Sequence, residues 1–189
     1  EDGGGDASLE VLPASRTLAD DLWVVRTSGD RTPITYHLLT PPGAGAATGA
    51  ATGASGGRAS GMVPRELLCA RPSLRGLPLA PVAAVTITAR DSEPLPAYLT
   101  RATRKGDELP PLALYIHGGP NARDYAGFDP VTQLLAARGI STLQLNYRGS
   151  TGYGNRFYNL AIGNVQGMHD DVEDARRWAI DSGQCLRTH

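Results

Sequence analysis

The sequence contains no run of apolar residues approaching the roughly 18 to 20 that a membrane-spanning helix requires, so no transmembrane segment is expected. Cysteine is scarce. Cys69 and Cys185 stand far apart and outside any Cys-x-x-Cys pair, which argues against a zinc site and against a disulfide framework. Both read as ordinary thiols of a reducing compartment. Aromatic residues make up only 6% of the chain, and the formal net charge is -1. Such a balance supplies no global attraction toward nucleic acid, an anionic membrane or an acidic substrate. The opening residues Glu1-Asp2-Gly3-Gly4-Gly5-Asp6 have neither the basic start nor the apolar core of a signal peptide. They also lack an initiator methionine, so a natural chain that begins earlier is expected. With no address visible, cytoplasmic location is the default expectation.

What the chain does have is 189 residues, 41% of them hydrophobic. That suffices for one moderate core or for parts of two domains. The sharpest change of composition falls at about 41–61, where small residues alternate with glycine. Such a run cannot offset the entropy of ordering by burial, and reads as a flexible insertion. Within it Gly53-Ala54-Ser55-Gly56-Gly57 matches the Gly-x-Ser-x-Gly pattern of a nucleophile elbow. An elbow must join a buried strand to a helix, and low-complexity linker offers neither, so the match is rejected.

Short β-like runs flank the insertion. Leu22–Arg26 and Ile34–Leu39 are joined by the turn-rich Ser28–Pro33, which predicts a hairpin, and Glu66–Ala70 is the next strand candidate. Beyond Pro81, Ala84–Ala89 and Leu95–Thr100 predict an antiparallel pair. Leu112-Ala113-Leu114-Tyr115-Ile116 is continuously apolar, as expected of a strand covered on both faces, while Thr142–Leu145 is a weaker strand candidate. Between them Val131–Arg138 has helical spacing and ends at Gly139. Strand, helix and strand imply a right-handed crossover between parallel neighbours. A last helix is expected to start at Asp170 and Asp171, with Val172, Ala175, Trp178 and Ala179 as its apolar stripe and Gly183 as its end. The acidic group Asp170, Asp171, Glu173 and Asp174 needs only the helix dipole to explain it, so neither a metal nor a cofactor is expected.

The chemistry is concentrated just after the apolar strand. His117-Gly118-Gly119-Pro120 follows Ile116 directly. A turn there presents backbone N–H groups at the carboxyl edge of a sheet, and in α/β-hydrolases a His-Gly-Gly loop in this place donates to the oxyanion hole. The plain alternative is a tight structural turn.

These residues do not stand alone. His117-Gly118-Gly119-Pro120, Arg123-Asp124, Asp129-Pro130, Gln133–Ala136, Arg138-Gly139, Asn146–Gly154 and Met168–Val172 occur in one order. Together they resemble the prolyl oligopeptidase family of serine peptidases, nearest its acylaminoacyl-peptidase and dipeptidyl-peptidase-like branch. The resemblance implies an α/β fold, in which 81–189 is the N-terminal portion of an α/β-hydrolase domain. It implies that 1–80, looser in its match, is the end of a β-propeller carrying the small-residue insertion.

Carried onto these positions, the resemblance makes Gly119 a backbone donor to the oxyanion, with His117 and Gly118 shaping the turn. Arg148 and Tyr153 lie in a glycine-rich loop at the expected rim of the site. Arg148 is read first as a brace for that loop and second as a substrate contact. The family's Gly-x-Ser-x-Gly-Gly elbow, Asp and His would follow the helix ending near Gly183, beyond His189. No member of that triad is therefore expected in these 189 residues. Ser150 has no histidine beside it in sequence, and His37, His169 and His189 read as strand, helix-start and chain-end residues. The implied activity is acyl-enzyme hydrolysis of peptides or acyl-peptides, with no nucleic-acid or membrane partner, and this chain alone is expected to be inactive. The alternative is a non-catalytic hydrolase-like remnant or peptide-binding module.

Overall fold

The computed structural model describes residues 8–16, 22–40, 63–102 and 109–185. The small-residue insertion with its Gly-x-Ser-x-Gly match, and His189, lie outside them. The chain divides into two compact units near Leu77 and Pro78.

The first unit is a four-stranded antiparallel sheet in the order β1-β2-β3-β4, formed by Ser8–Arg16, Trp23–Ser28, Thr35–Thr40 and Val63–Cys69. The expected hairpin is β2 with β3, in the register Val25↔His37 and Trp23↔Leu39. β1 had no counterpart among the sequence-predicted elements. Leu12-Pro13-Ala14-Ser15 carries a proline that argues against a central strand, and β1 stands at the edge of its sheet. Within this unit Val25 and Cys69 are the buried hydrophobic residues among those described. His37 is a strand residue, with Nε2 3.0 Å from Thr27 Oγ1.

The second unit carries a four-stranded mixed sheet in the order β5-β6-β8-β7, formed by Val82–Thr88, Pro94–Thr100, Ser141–Leu145 and Leu112–Ile116. β5 and β6 are the expected antiparallel pair, and β6 continues antiparallel to β8. β7 and β8 are parallel, linked through α1 at Pro130–Ala137. The side chain of Asp129 caps α1 by accepting from the N–H groups of Val131 and Thr132, at 2.8 and 2.9 Å, and Pro130 stands at the first helical position. Then follow α2, Gly154–Asn159, and α3, Val165–Asp181.

Two expectations are corrected. The apolar strand β7 is not covered on both faces: none of its five residues is buried, and Tyr115 and Ile116 are 37% and 38% exposed. Among the described residues β7 is the last strand in the sheet order, with β8 as its hydrogen-bonded neighbour. The weaker candidate, β8, is buried at every position because it is hydrogen-bonded on both sides and lies under α1. Leu143 and Leu145 join Ile87, Leu95, Leu99 and the α3 residues Ala175 and Ala179 in one core. Each such leucine is worth about 1.5–3 kcal/mol of burial.

The start of the last helix is also corrected. It begins at Val165, with Asn164 as the cap accepting from the Gly167 N–H at 3.0 Å. Asp170, Asp171 and Asp174 therefore sit one turn or more inside the helix and answer arginines rather than the dipole. Asp170 pairs with Arg90 at 3.0 Å, Asp174 with Arg90 at 2.9 Å and Asp171 with Arg148 at 2.6 Å. The expected stripe holds: Ala175 and Ala179 are buried, with Val172 and Trp178 packed against the same core.

Candidate functional site

The turn His117–Pro120 leaves β7 at the carboxyl end of the parallel pair. Gly118 and Gly119 are exposed, and neither N–H has a hydrogen-bond partner among the described residues. Gly119 has φ +142°, and a Cβ there would lie 2.6 Å from the Asn121 nitrogen, so only glycine fits this bend without moving the backbone. An open hollow of about 270 Å³ adjoins it, lined by Ile116, Pro120, Tyr147, Met168, His169 and Val172.

The loop following β8 is the bed on which this turn rests. Every residue from Asn146 to Ser150 is buried. The His117 ring stacks on Tyr147 with centroids 4.6 Å apart and planes 15° from parallel. Its Nδ1 donates to the Gly118 carbonyl at 2.9 Å, and its Nε2 lies 2.9 Å from Ser150 Oγ. Tyr147 Oη donates to the His117 carbonyl at 3.1 Å. A Cβ at Gly149, where φ is +95°, would collide with Ala161 and come within 3.1 Å of Pro120 Cβ. Glycine there is what allows the two loops to close on one another.

Sequence separation concealed the Ser150 and His117 pair, which are 33 residues apart. The contact supplies the histidine that the sequence reading did not find beside Ser150. It does not make a nucleophile, because Ser150 has 0% exposure and its Oγ is shared with the Tyr147 carbonyl oxygen at 2.6 Å. No substrate carbon can reach it.

Arg148 is 6% exposed, and its guanidinium makes four hydrogen bonds. Nε and Nη2 donate to Asp171 at 2.9 and 2.6 Å, and Nη1 and Nη2 to Asp91 at 2.9 and 3.2 Å. Of the two roles weighed for it, this geometry is that of a brace tying the loop to α3 and to the β5–β6 turn. Hydrogen bonding to Arg148, opposed by partial burial, holds the Asp91 carboxyl below the usual range.

Tyr153 is half-buried. Its hydroxyl accepts from Arg123 Nη2 and Asn146 Nδ2, each at 3.0 Å, and burial together with the neighbouring Tyr98 hydroxyl pushes it up to about 12. Arg123 lies between the rings of Tyr125 and Tyr153, 4.6 and 4.5 Å from their centroids. Asn146 also accepts from the Asp124 N–H at 2.8 Å. Burial pushes the Asp124 carboxyl above its usual range, with His117 opposing, and Asp124 Oδ2 has no partner among the described residues. The supporting roles of Tyr147, Arg123 and Asn146 were invisible in sequence, because each depends on a partner from another element. His169, expected at a helix start, lies inside α3 and lines the hollow. Among the described residues no group of three or more His, Cys, Asp or Glu could hold a metal ion, and no helix is long and apolar enough to cross a membrane.

Known proteins resemble this chain in sequence and in fold. The Prolyl oligopeptidase family matches residues 126–188. The dipeptidyl aminopeptidase BIII of Pseudoxanthomonas mexicana is 38% identical over 96% of this chain and 24% of its own length. The dipeptidyl peptidase family member 6 of Caenorhabditis elegans is 44% identical over 41% of this chain and 10% of its own length. The chain thus spans a quarter or less of these relatives. Among solved structures, a puromycin-hydrolyzing peptidase of Mycobacterium tuberculosis superposes with a TM-score of 0.68 at 22% identity, covering 87% of this chain and 23% of that one. The Pyrococcus horikoshii acylaminoacyl peptidase gives 0.63 at 18% identity, covering 89% and 24%. These two likenesses show a shared fold, and the sequence matches show that residues 126–188 belong to the prolyl oligopeptidase family.

Proposed function

We propose that this chain supplies the first part of the catalytic domain of a serine peptidase that cleaves peptides or acyl-peptides through an acyl-enzyme. In that reaction a nucleophile adds to the scissile carbonyl, the carbonyl oxygen gains negative charge, and an N–H aimed at it lowers the barrier because the charge exists only in the transition state. Gly119 is the donor assigned here. The observation that carries the assignment is its free, exposed N–H immediately beyond the carboxyl end of a parallel strand. Arg148 braces the neighbouring loop, and Tyr153 closes the polar cluster behind it. The first unit is read as the last blade of a β-propeller. A lone four-stranded sheet with so few buried apolar residues needs neighbouring sheets, and propeller blades provide them.

No residue of this chain is assigned as nucleophile, general base or acid. The 189-residue chain is accordingly expected to leave a p-nitrophenyl ester and a blocked aminoacyl anilide intact. Turnover abolished by an active-site serine reagent would overturn that. In the peptidase that contains this segment, Gly119→Ala should lower kcat by about 10²–10³ with little change in KM, as for loss of one oxyanion donor. An unchanged kcat removes Gly119 from the reaction.

A further inference from the structure

A backbone amide can stabilise an oxyanion only if its direction is fixed beforehand, and glycine fixes nothing by itself. Two glycines in sequence, exposed and without hydrogen bonds to their N–H groups, would rotate freely unless something held their peptide planes. The structure shows what holds them. The peptide between His117 and Gly118 is gripped at its carbonyl by Tyr147 Oη at 3.1 Å. The peptide between Gly118 and Gly119 is gripped at its carbonyl by His117 Nδ1 at 2.9 Å. Both peptides are trans, so in each plane the N–H points opposite to the carbonyl. Fixing the two oxygens therefore fixes the two hydrogens on the opposite side of each plane.

The ring that makes the second grip is itself immobilised. His117 is stacked on Tyr147 and tethered through Nε2 to Ser150 Oγ, 2.9 Å away. Ser150 and Tyr147 belong to the buried loop after β8, which Arg148 fastens to Asp171 and Asp91. We propose that Tyr147 and Ser150 are positioning residues that, acting through His117, set the directions of the Gly118 and Gly119 N–H groups. Ser150 has no exposed surface from which to touch substrate. The catalytic part of this inference rests on the oxyanion reading above, whereas the orienting part does not.

Two substitutions separate the links. Tyr147→Phe keeps the ring under His117 and removes only the hydroxyl that grips the first peptide. Ser150→Ala removes the tether of the imidazole and leaves a smaller side chain in the same buried place. In the 189-residue chain, 15N relaxation and residual dipolar couplings would report the order and direction of the Gly118 and Gly119 N–H vectors. The expected result is an ordered pair in the parent. Tyr147→Phe should loosen chiefly Gly118, and Ser150→Ala chiefly Gly119. Unchanged vectors in both variants overturn the proposal.

In the peptidase containing the segment, the same variants should lower kcat about five- to tenfold, the scale of one hydrogen bond's worth of orientation, with KM held within about twofold. A defect that was only structural would instead lower the fraction of active enzyme, with kcat per titrated site and both N–H vectors unchanged, and that result overturns the proposal. Loosened amides combined with unchanged kcat per site would overturn the oxyanion assignment and the catalytic role drawn from it, leaving the orienting contacts intact.

Discussion

β7 and β8 are parallel neighbours of five residues each, and their fates invert what their compositions suggest. Leu112-Ala113-Leu114-Tyr115-Ile116 is apolar throughout and is nowhere buried; Ser141-Thr142-Leu143-Gln144-Leu145 is more than half polar and is buried throughout. The contrast extends into the loops. The turn after β7 exposes Gly118 and Gly119, while the stretch after β8, from Asn146 to Ser150, is closed to solvent. One strand ends in an exposed turn, and the loop after the other is the bed on which that turn rests. Burial here follows a strand's place in the sheet order more than its own hydrophobicity, since a central strand has two hydrogen-bonded neighbours and an edge strand has one.

The comparison can be broken most forcefully at Arg148. Its partner Asp171 is 0% exposed, so Arg148→Ala strands a buried carboxylate and should cost about 3–5 kcal/mol in urea unfolding of the second unit. A loss below about 1 kcal/mol would mean that the bed after β8 is not held by this ion pair. Next comes the asymmetry between the strands themselves. Leu143→Ala should destabilise by about 2–5 kcal/mol, and Ile116→Ala in β7 by about 1 kcal/mol. Equal losses would put β7 in the interior after all. The smallest effect sharpens the polar half of β8. Thr100 and Thr142 are register partners on β6 and β8, and the Oγ1 of each is buried without a partner among the described residues. Thr142→Val should therefore raise stability by about 1 kcal/mol, removing an unsatisfied hydroxyl at nearly constant volume. A loss of stability would reveal a hydrogen bond that Thr142 makes in solution.

Much of this was legible beforehand, and the misses share a cause. Among the described residues, local patterns located seven of the eight strands and two of the three α-helices, because alternation, turn residues and the Asp129-Pro130 start are properties of neighbours in sequence. β1 was missed because Pro13 interrupts its alternation, and α2 because its six residues follow directly on a glycine-rich loop. The start of α3 was misplaced by five residues: Asp170 and Asp171 resemble caps locally, but their carboxylates are engaged by Arg90 and Arg148 from distant segments. His117-Gly118-Gly119-Pro120 was legible as a turn because it follows Leu112–Ile116 at once. Its supports, Tyr147 and Ser150, were not, because contacts across 30 and 33 residues leave no local trace.

By itself the sequence determined the order of strands and helices, the glycine turn at the end of β7 and the family to which the motifs belong, since all of these are written in short-range spacing and in the succession of motifs. Only the tertiary structure decided which strand is central, which arginine is a brace and which hydroxyls hold the turn. Those outcomes depend on which segments meet in space, and the free energy of burying a charge or orienting an amide is fixed by the partner that arrives rather than by the residue that waits for it.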